Sequence, residues 1–212
     1  MVSEKTIERL SLYRRLLAGL LDDNRQSIFS RELASLAGGT APQVRRDIMS
    51  IGYSGSPASG YDIADLADSI GSFLDNPSGT SGVIVGAGNL GRAIMSFFVS
   101  RRPLLKLLAA FDNDPSKIDT EICGRPCYDI ADLEAKVSEL GVKMGVITVP
   151  APIAQETSDK LVSAGVAGIL NFAPIRLHVP DNVYVEHVDL TTSMEKVAYF
   201  VQSKTRSTAP DA

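Results

Sequence analysis

The chain has 212 residues, and at the usual domain size of roughly 100 to 200 residues it holds one large domain or two small ones. Hydrophobic residues at 44% and charged residues at 22% supply enough apolar material for a packed core, which excludes an intrinsically disordered chain. The net charge of −4 excludes a chain that is basic throughout, yet residues 1–61 carry eight Lys/Arg against six acids, a net of +2, and leave −6 for the rest. That asymmetry points to a polyanion-facing N-terminal module on an acidic body.

In chain order, Ile7, Leu10, Arg14, Leu17 and Leu21 follow helical spacing, with Leu16 and Leu20 widening the apolar face, and predict a helix over residues 4–21. Ser30 as N-cap with Glu32 in the first turn opens a second helix that runs to Gly38-Gly39. Thr40-Ala41-Pro42-Gln43 reads as a capping box that opens a third. Helix, short Gly-containing turn and helix make a helix-turn-helix. At about 100° per residue, Val44, Ile48 and Ile51 share one stripe of the third helix. Gln43, Arg46 and Ser50 fall opposite, with Arg45 to one side. Such residues read base edges or hold phosphates, although a solvated helix face has the same look. The Gly-rich segment 52–63 suits a small β-hairpin wing, so residues 4–65 fit a winged helix-turn-helix.

The polar turn-former stretch Asp75–Gly82 marks a boundary, after which the pattern alternates between strands and helices. Val83-Ile84-Val85 runs into Gly86-Ala87-Gly88-Asn89-Leu90-Gly91 and then a helical stretch, which is GxGxxG in its strand-turn-helix setting. Its glycines allow a tight turn, approach of the backbone to a pyrophosphate and close helix-on-strand packing, and the helix N-terminus offers free amides to phosphates. The next strand, Leu107–Phe111, ends at Asp112, where a carboxylate accepts from the adenosine ribose hydroxyls and repels a 2′-phosphate, favouring NAD(H) over NADP(H). Further strands are expected at 145–149, 166–170 and 183–188, with helices near 131–140 and 151–164 between them. This order implies a parallel, doubly wound, Rossmann-like sheet. Thr148-Val149-Pro150 and Asn171 sit at carboxyl ends of strands, where such sheets place their ligand crevice.

These crevice residues offer no general acid or base. The histidines, His178 and His187, read as structural, no Tyr-x-x-x-Lys pair occurs, and no catalytic residue is assigned. Cys123 and Cys127 fit neither a disulfide framework nor a metal site, and no metal is expected. No apolar run approaches the roughly 18 residues of a membrane span, and the opening MVSEKTIERL lacks the pattern of a signal peptide, so the expected compartment is the cytoplasm with no membrane partner. Thr192 with Glu195 predicts the start of a last helix, whose Met194, Val197, Ala198 and Val201 form an apolar stripe beside Phe200. It either closes its own domain or inserts into a second subunit, while the tail from Ser203 reads as frayed. A dimer would let two reading helices about 34 Å apart address a palindrome.

Several stretches, in combination, carry a resemblance over nearly the whole chain: Arg9-Leu10 with Tyr13-Arg14-Arg15-Leu16, Ser30-Arg31-Glu32-Leu33-Ala34, Gln43-Val44-Arg45-Arg46-Asp47, Gly86–Gly91, Phe111-Asp112-Asn113-Asp114-Pro115, Val149-Pro150-Ala151 and Asn171-Phe172-Ala173-Pro174. The chain resembles the Rex family of bacterial redox-sensing transcriptional repressors. The resemblance implies a homodimer on palindromic operator DNA, with a winged helix-turn-helix domain (1–76), an NAD(H)-binding Rossmann domain (77–190) and a domain-swapped C-terminal helix (191–206). It implies that NADH releases the protein from DNA and that NAD⁺ permits binding. It also implies that Arg15 and Asp189 belong to an interdomain switch whose third member, a Tyr in the family, is Phe97 here. A second departure lies in the wing, where Pro57-Ala58 replaces the family's Arg-Gly. Two other readings stay open on the residues alone: a small NAD-dependent oxidoreductase, or a CoA- or nucleotide-binding subunit, with a helical dimerisation domain.

Overall fold

The computed structural model describes residues 2–101 and 104–207, and the chain divides into two compact units between Pro77 and Ser78. The first unit contains α1 (Glu4–Asp22), β1 (Ser27–Ile28), α2 (Ser30–Ala37), α3 (Ala41–Ser50), β2 (Tyr61–Asp62) and α4 (Ile63–Leu74). Its core gathers Leu10, Tyr13 and Leu17 of α1, Leu33 of α2, Val44 and Ile48 of α3, and Ile63, Leu66 and Ile70 of α4. Full burial of each such aliphatic side chain contributes about 1.5–3 kcal/mol. The helix-turn-helix is α2 and α3, and Gly38 closes α2 in the left-handed region at φ +67°.

Two helix starts differ from expectation. Phe29, not Ser30, holds the cap position of α2, and the Glu32 carboxylate reaches back to accept the Phe29 amide at 2.8 Å. The Ser30 hydroxyl instead accepts from Arg45 Nη1 at 3.0 Å. Thr40 does precede α3, but its side chain caps nothing, so the box with Gln43 is absent.

The wing contracts to one antiparallel bridge, Ser56 with Gly60, and β2 pairs back onto β1 through Ser27–Asp62 and Ile28–Tyr61. Gly60 sits at φ +75°, and a Cβ there would lie 2.6 Å from the Ile28 carbonyl oxygen, so this crossing demands glycine. Helix α4 lies largely beyond the expected end of the winged motif at residue 65.

The second unit runs β3 (Thr80–Val85), α5 (Asn89–Arg101), β4 (Leu105–Asp112), β5 (Glu121–Ile122), β6 (Arg125–Asp129), a 3-10 turn (Ile130–Asp132), α6 (Leu133–Leu140), β7 (Met144–Ile147), α7 (Ala151–Ser163), β8 (Gly168–Asn171), β9 (Tyr184–His187) and α8 (Leu190–Ser207). The sheet order is β5-β6-β4-β3-β7-β8-β9, parallel except where β5 runs antiparallel to β6. That hairpin, which the strand pattern did not announce, turns on Cys123 at φ 53° and Gly124 at φ 72°. Strand β3 also begins earlier than expected, because the Thr80 amide bonds the Leu104 carbonyl at 2.7 Å and recruits the end of the polar stretch.

The two faces of the sheet are covered unequally. Val83, Val85, Ala109 and Phe111 pack with Leu133 and Val137 of α6 and Ala154 and Leu161 of α7. Ile84, Leu107, Ala110 and Val146 pack on the other side with Met95 of α5. The β8–β9 connection carries no helix and packs on the face of α6 and α7, whereas on the face of α5 an apolar groove of about 290 Å³ opens, lined by Phe98, Met144, Leu170 and Tyr184 among others.

Helix α8 starts at Leu190, and its N-cap is Asp189, which accepts the Thr192 amide at 2.9 Å and the Thr192 hydroxyl at 2.7 Å. The Thr192–Glu195 start is therefore displaced by about a turn, since a carboxylate three residues before Thr192 captures the free amide. The helix extends past Ser203 to Ser207, and the rest of the expected frayed tail, 208–212, lies outside the described residues.

Candidate functional site

In the second unit the site is built where β3 turns into α5. Gly86 lies at φ +99°, and a Cβ on it would come within 2.8 Å of the Thr148 carbonyl oxygen. A Cβ on Gly91 would lie 2.0 Å from the Gly86 carbonyl oxygen, while one on Gly88 would meet nothing within 4 Å. The first and third glycines are thus demanded by the fold. The second leaves an open approach to the backbone, as a bound pyrophosphate requires. Ala87 is buried, and Asn89 and Leu90 at the start of α5 are exposed.

Asp112, at the end of β4, is only 7% exposed. Its Oδ2 accepts the Ala87 amide at 2.7 Å and the Lys117 ammonium at 3.1 Å, and its Oδ1 accepts the Asp114 amide at 3.0 Å. Burial alone would raise its pKa, but the Asp114 amide, Lys117 and the Ala87 amide outweigh it and hold the carboxyl below its ordinary value. Lys117 also lies 3.5 Å from Asp114 Oδ2. The sequence reading missed this lysine.

The later loops brace the glycine turn. Thr148 Oγ1 donates to the Gly86 carbonyl at 2.7 Å and lies 3.0 Å from that of Val85, Val149 is buried in the core, and Pro150 is exposed. The Asn171 side chain is fully buried; its Nδ2 reaches the carbonyls of Ala173 and Ile175 and His187 Nδ1, and its Oδ1 accepts the Ala173 amide. A ligand near Asn171 therefore meets the loop it holds rather than a free amide.

In the first unit α3 presents Arg45, Arg46 and Ser50 as exposed and Gln43 as half-buried. Ser50 Oγ donates back to the Asp47 carbonyl at 2.6 Å. A polar cleft runs beside this face, lined by Ser3, Thr6, Arg9, Gln43, Arg46 and Ser50. Beneath it Asp47, 5% exposed, accepts two bonds from Arg9, Nε to Oδ2 at 2.6 Å and Nη2 to Oδ1 at 2.7 Å, and a third from the Tyr13 hydroxyl at 3.0 Å. This fork-to-fork contact fixes α3 against α1. By helical angle Asp47 falls midway between Ile51 and Gln43, at the border of the apolar stripe, so the angle alone does not mark it as buried.

Arg15 is exposed on α1, Phe97 is 50% exposed on α5, and Asp189 is exposed at the head of α8. The Thr192 amide, followed by its hydroxyl, lowers the Asp189 pKa. Among the described residues no group of three or more His, Cys, Asp or Glu side chains is placed to hold a metal ion, and no helix is long and apolar enough to cross a membrane.

Comparison with known proteins matches each of the two units to a separate family model. A family model described as "Putative DNA-binding protein N-terminus" matches residues 1–48, and one described as "CoA binding domain" matches residues 78–175. The chain is 37% identical over 202 residues to a redox-sensing transcriptional repressor Rex of Leuconostoc citreum, covering 95% of this chain and 94% of the relative. A Rex repressor of Bacillus velezensis is 36% identical, with 95% and 93% covered. Among solved structures, RSP, a Rex-family repressor, superposes with a TM-score of 0.88 at 34% identity over 97% of each chain. RSP in complex with NAD⁺ and operator DNA gives a TM-score of 0.90 at 34% identity, covering 97% of this chain and 94% of that one. RSP in complex with NADH gives 0.86 at 33% identity, covering 97% and 96%.

Proposed function

Because the chain belongs to the Rex family of redox-sensing transcriptional repressors, we propose that it holds palindromic operator DNA as a homodimer and releases it when NADH binds, so that transcription follows the NADH/NAD ratio. The observation that carries this reading is the open approach at Gly88 beside the braced Asp112 carboxylate, on a chain that also presents Arg45 and Arg46 from a helix-turn-helix. Gly86–Gly91 would hold the pyrophosphate, with the first amides of α5 facing its charge. Asp112 would take the adenine ribose, and the loops at Thr148–Pro150 and Asn171 the nicotinamide end. Gln43, Arg45, Arg46 and Ser50 face DNA. When bound, the dinucleotide supplies the signal, which is its oxidation state, and no catalytic residue is required.

In this reading residues 1–76 read DNA, 77–190 bind the dinucleotide, and 191–206 form a helix exchanged between subunits in the cytoplasm. The exchange is supported by α8, whose Met194, Val197, Phe200 and Val201 are 60–70% exposed. A second copy of that stripe matches in character the apolar groove left over β7–β9. A coupling of about 1–3 kcal/mol per site changes DNA affinity roughly 5- to 150-fold. Asp189 caps α8 through Thr192, so pairing with an arginine such as Arg15 competes with that cap. Phe97 supplies no hydroxyl to the switch, which weakens the coupling.

One observation favours a CoA ligand, the family model over residues 78–175. Against it, the Asp112 carboxylate would face the phosphorylated ribose of CoA. The test is a pair of substitutions: Arg46→Ala weakens duplex binding and spares NADH, whereas Asp112→Ala weakens NADH and spares the duplex. CoA should not displace NADH from the unsubstituted protein. Loss of both activities in either variant, or displacement by CoA, contradicts the assignment.

A further inference from the structure

We propose that Lys117 is a specificity-determining residue of the dinucleotide site, which sets how strongly the adenosine pocket rejects a 2′-phosphate. The inference rests on the cofactor reading above and adds a residue to it. A carboxylate at this position of a dinucleotide-binding sheet ordinarily accepts from the ribose hydroxyls. In this chain Oδ2 already accepts two donors, Ala87 N and Lys117 Nζ, while Oδ1 accepts one, Asp114 N. A carboxylate oxygen has about two good acceptor directions, so room remains chiefly on Oδ1.

The lysine supplies what the saturated oxygen lacks. Its ammonium, with three protons to donate, lies 3.1 Å from Asp112 Oδ2 and 3.5 Å from Asp114 Oδ2, so these two acceptors take at most two of them. The third is a donor for a hydroxyl oxygen. A ribose hydroxyl both donates and accepts, so Asp112 Oδ1 and Lys117 Nζ together form a matched pair for the diol. Neither group does this alone.

Charge decides the selectivity. Asp112, Asp114 and Lys117 sum to −1 within a few ångströms. A 2′-phosphate meets two carboxylates that repel it and one ammonium that attracts it. The lysine and Asp112 side chains are 23% and 8% exposed, so water screens this balance only in part. Removing the ammonium leaves −2 at the pocket, which should penalise NADPH more than NADH. Neutralising Asp114, whose side chain is 43% exposed, should act in the opposite direction and less strongly.

The fluorescence of the dihydronicotinamide, excited at wavelengths where aromatic side chains do not absorb, reports binding directly. NADH and NADPH are titrated into the full-length protein and into Lys117→Met, Lys117→Arg and Asp114→Asn, at two salt concentrations. The ratio of the dissociation constant for NADPH to that for NADH should rise by about threefold or more in Lys117→Met, stay near the starting value in Lys117→Arg, and fall in Asp114→Asn. The rise should shrink at high salt. A lysine that merely braces the loop would weaken both ligands equally, and an unchanged ratio in Lys117→Met with measurable NADH binding overturns the inference alone. Failure of the unsubstituted protein to bind NADH overturns the cofactor reading and the inference with it.

Discussion

The two units each bury one carboxylate beside their candidate site, and the difference between those acids separates scaffolding from recognition. Asp47 in the first unit accepts both arms of Arg9 and the Tyr13 hydroxyl, under a helix whose outer face is exposed. Asp112 in the second unit accepts two backbone amides and one lysine, next to a loop where a Cβ on Gly88 would meet nothing. Burial is alike, at 5% and 7% exposed. What distinguishes them is their partners: side chains of α1 hold Asp47, whereas Asp112 is held by the backbone of the glycine turn and of the loop that follows β4. Asp47 therefore fixes α3 against α1, whereas Asp112 is tied to the glycine turn itself.

The largest effect that would sharpen this contrast comes from the glycine turn. Gly91→Ala forces a Cβ to within 2.0 Å of the Gly86 carbonyl oxygen, and backbone cannot rotate away as a side chain can. NADH binding should fall by about 100-fold, with a lower melting temperature of the second unit. Gly88→Ala has space for its Cβ, so stability should stay within about 0.5 kcal/mol while NADH affinity still drops. Equal losses of stability in both variants would break the distinction between a packing glycine and a ligand glycine.

Next in size, Asp47→Asn removes the charge that Arg9 and Tyr13 address. Chemical denaturation should show the first unit weakened by about 2–3 kcal/mol, with NADH titration unchanged, a figure reduced from that of a fully buried pair because the arginine is 26% exposed. A stability unchanged within error would mean that the pair is incidental to α3.

A smaller effect is read by pH. Burial, and then Asp47, push the Tyr13 hydroxyl from 10 up to about 12. A folded-state pKa above the unfolded value means that the protonated hydroxyl's contribution is fully present below pH 10 and is lost as pH rises towards 12. Denaturation midpoints of the first unit should fall over that window, and Tyr13→Phe should flatten this part of the fall. An identical slope in both proteins would contradict the Tyr13–Asp47 bond.

Much of the architecture was legible because apolar periodicity reports it directly. Val83-Ile84-Val85 before a glycine motif, and Val44 with Ile48 on one stripe, each pointed to an element that the structure contains. The elements that escaped lacked a local signal. Strand β1 has two residues, and the β5–β6 hairpin turns on Cys123-Gly124 rather than on the Asn-Gly or Asp-Gly that such turns favour. In α4, Ile63, Leu66 and Ile70 keep helical spacing, but the preceding Gly-rich segment reads as the wing and ends the winged motif at residue 65, with no helix expected there. At the sites, partners distant in sequence were invisible: Arg9 meets Asp47 across 38 residues. Lys117 lies close to Asp112 in sequence, but in a turn where no periodicity marks which charge faces inward.

The central claim is that NADH and DNA compete through one protein. It is tested most directly by the fluorescence anisotropy of a labelled duplex, selected by this protein from a random-sequence pool and titrated with NADH against a fixed concentration of NAD⁺. The account predicts that the bound fraction falls as the NADH/NAD ratio rises, and that Asp112→Ala abolishes the fall while still binding the duplex. A bound fraction indifferent to the ratio, with NADH demonstrably on the protein, would contradict it.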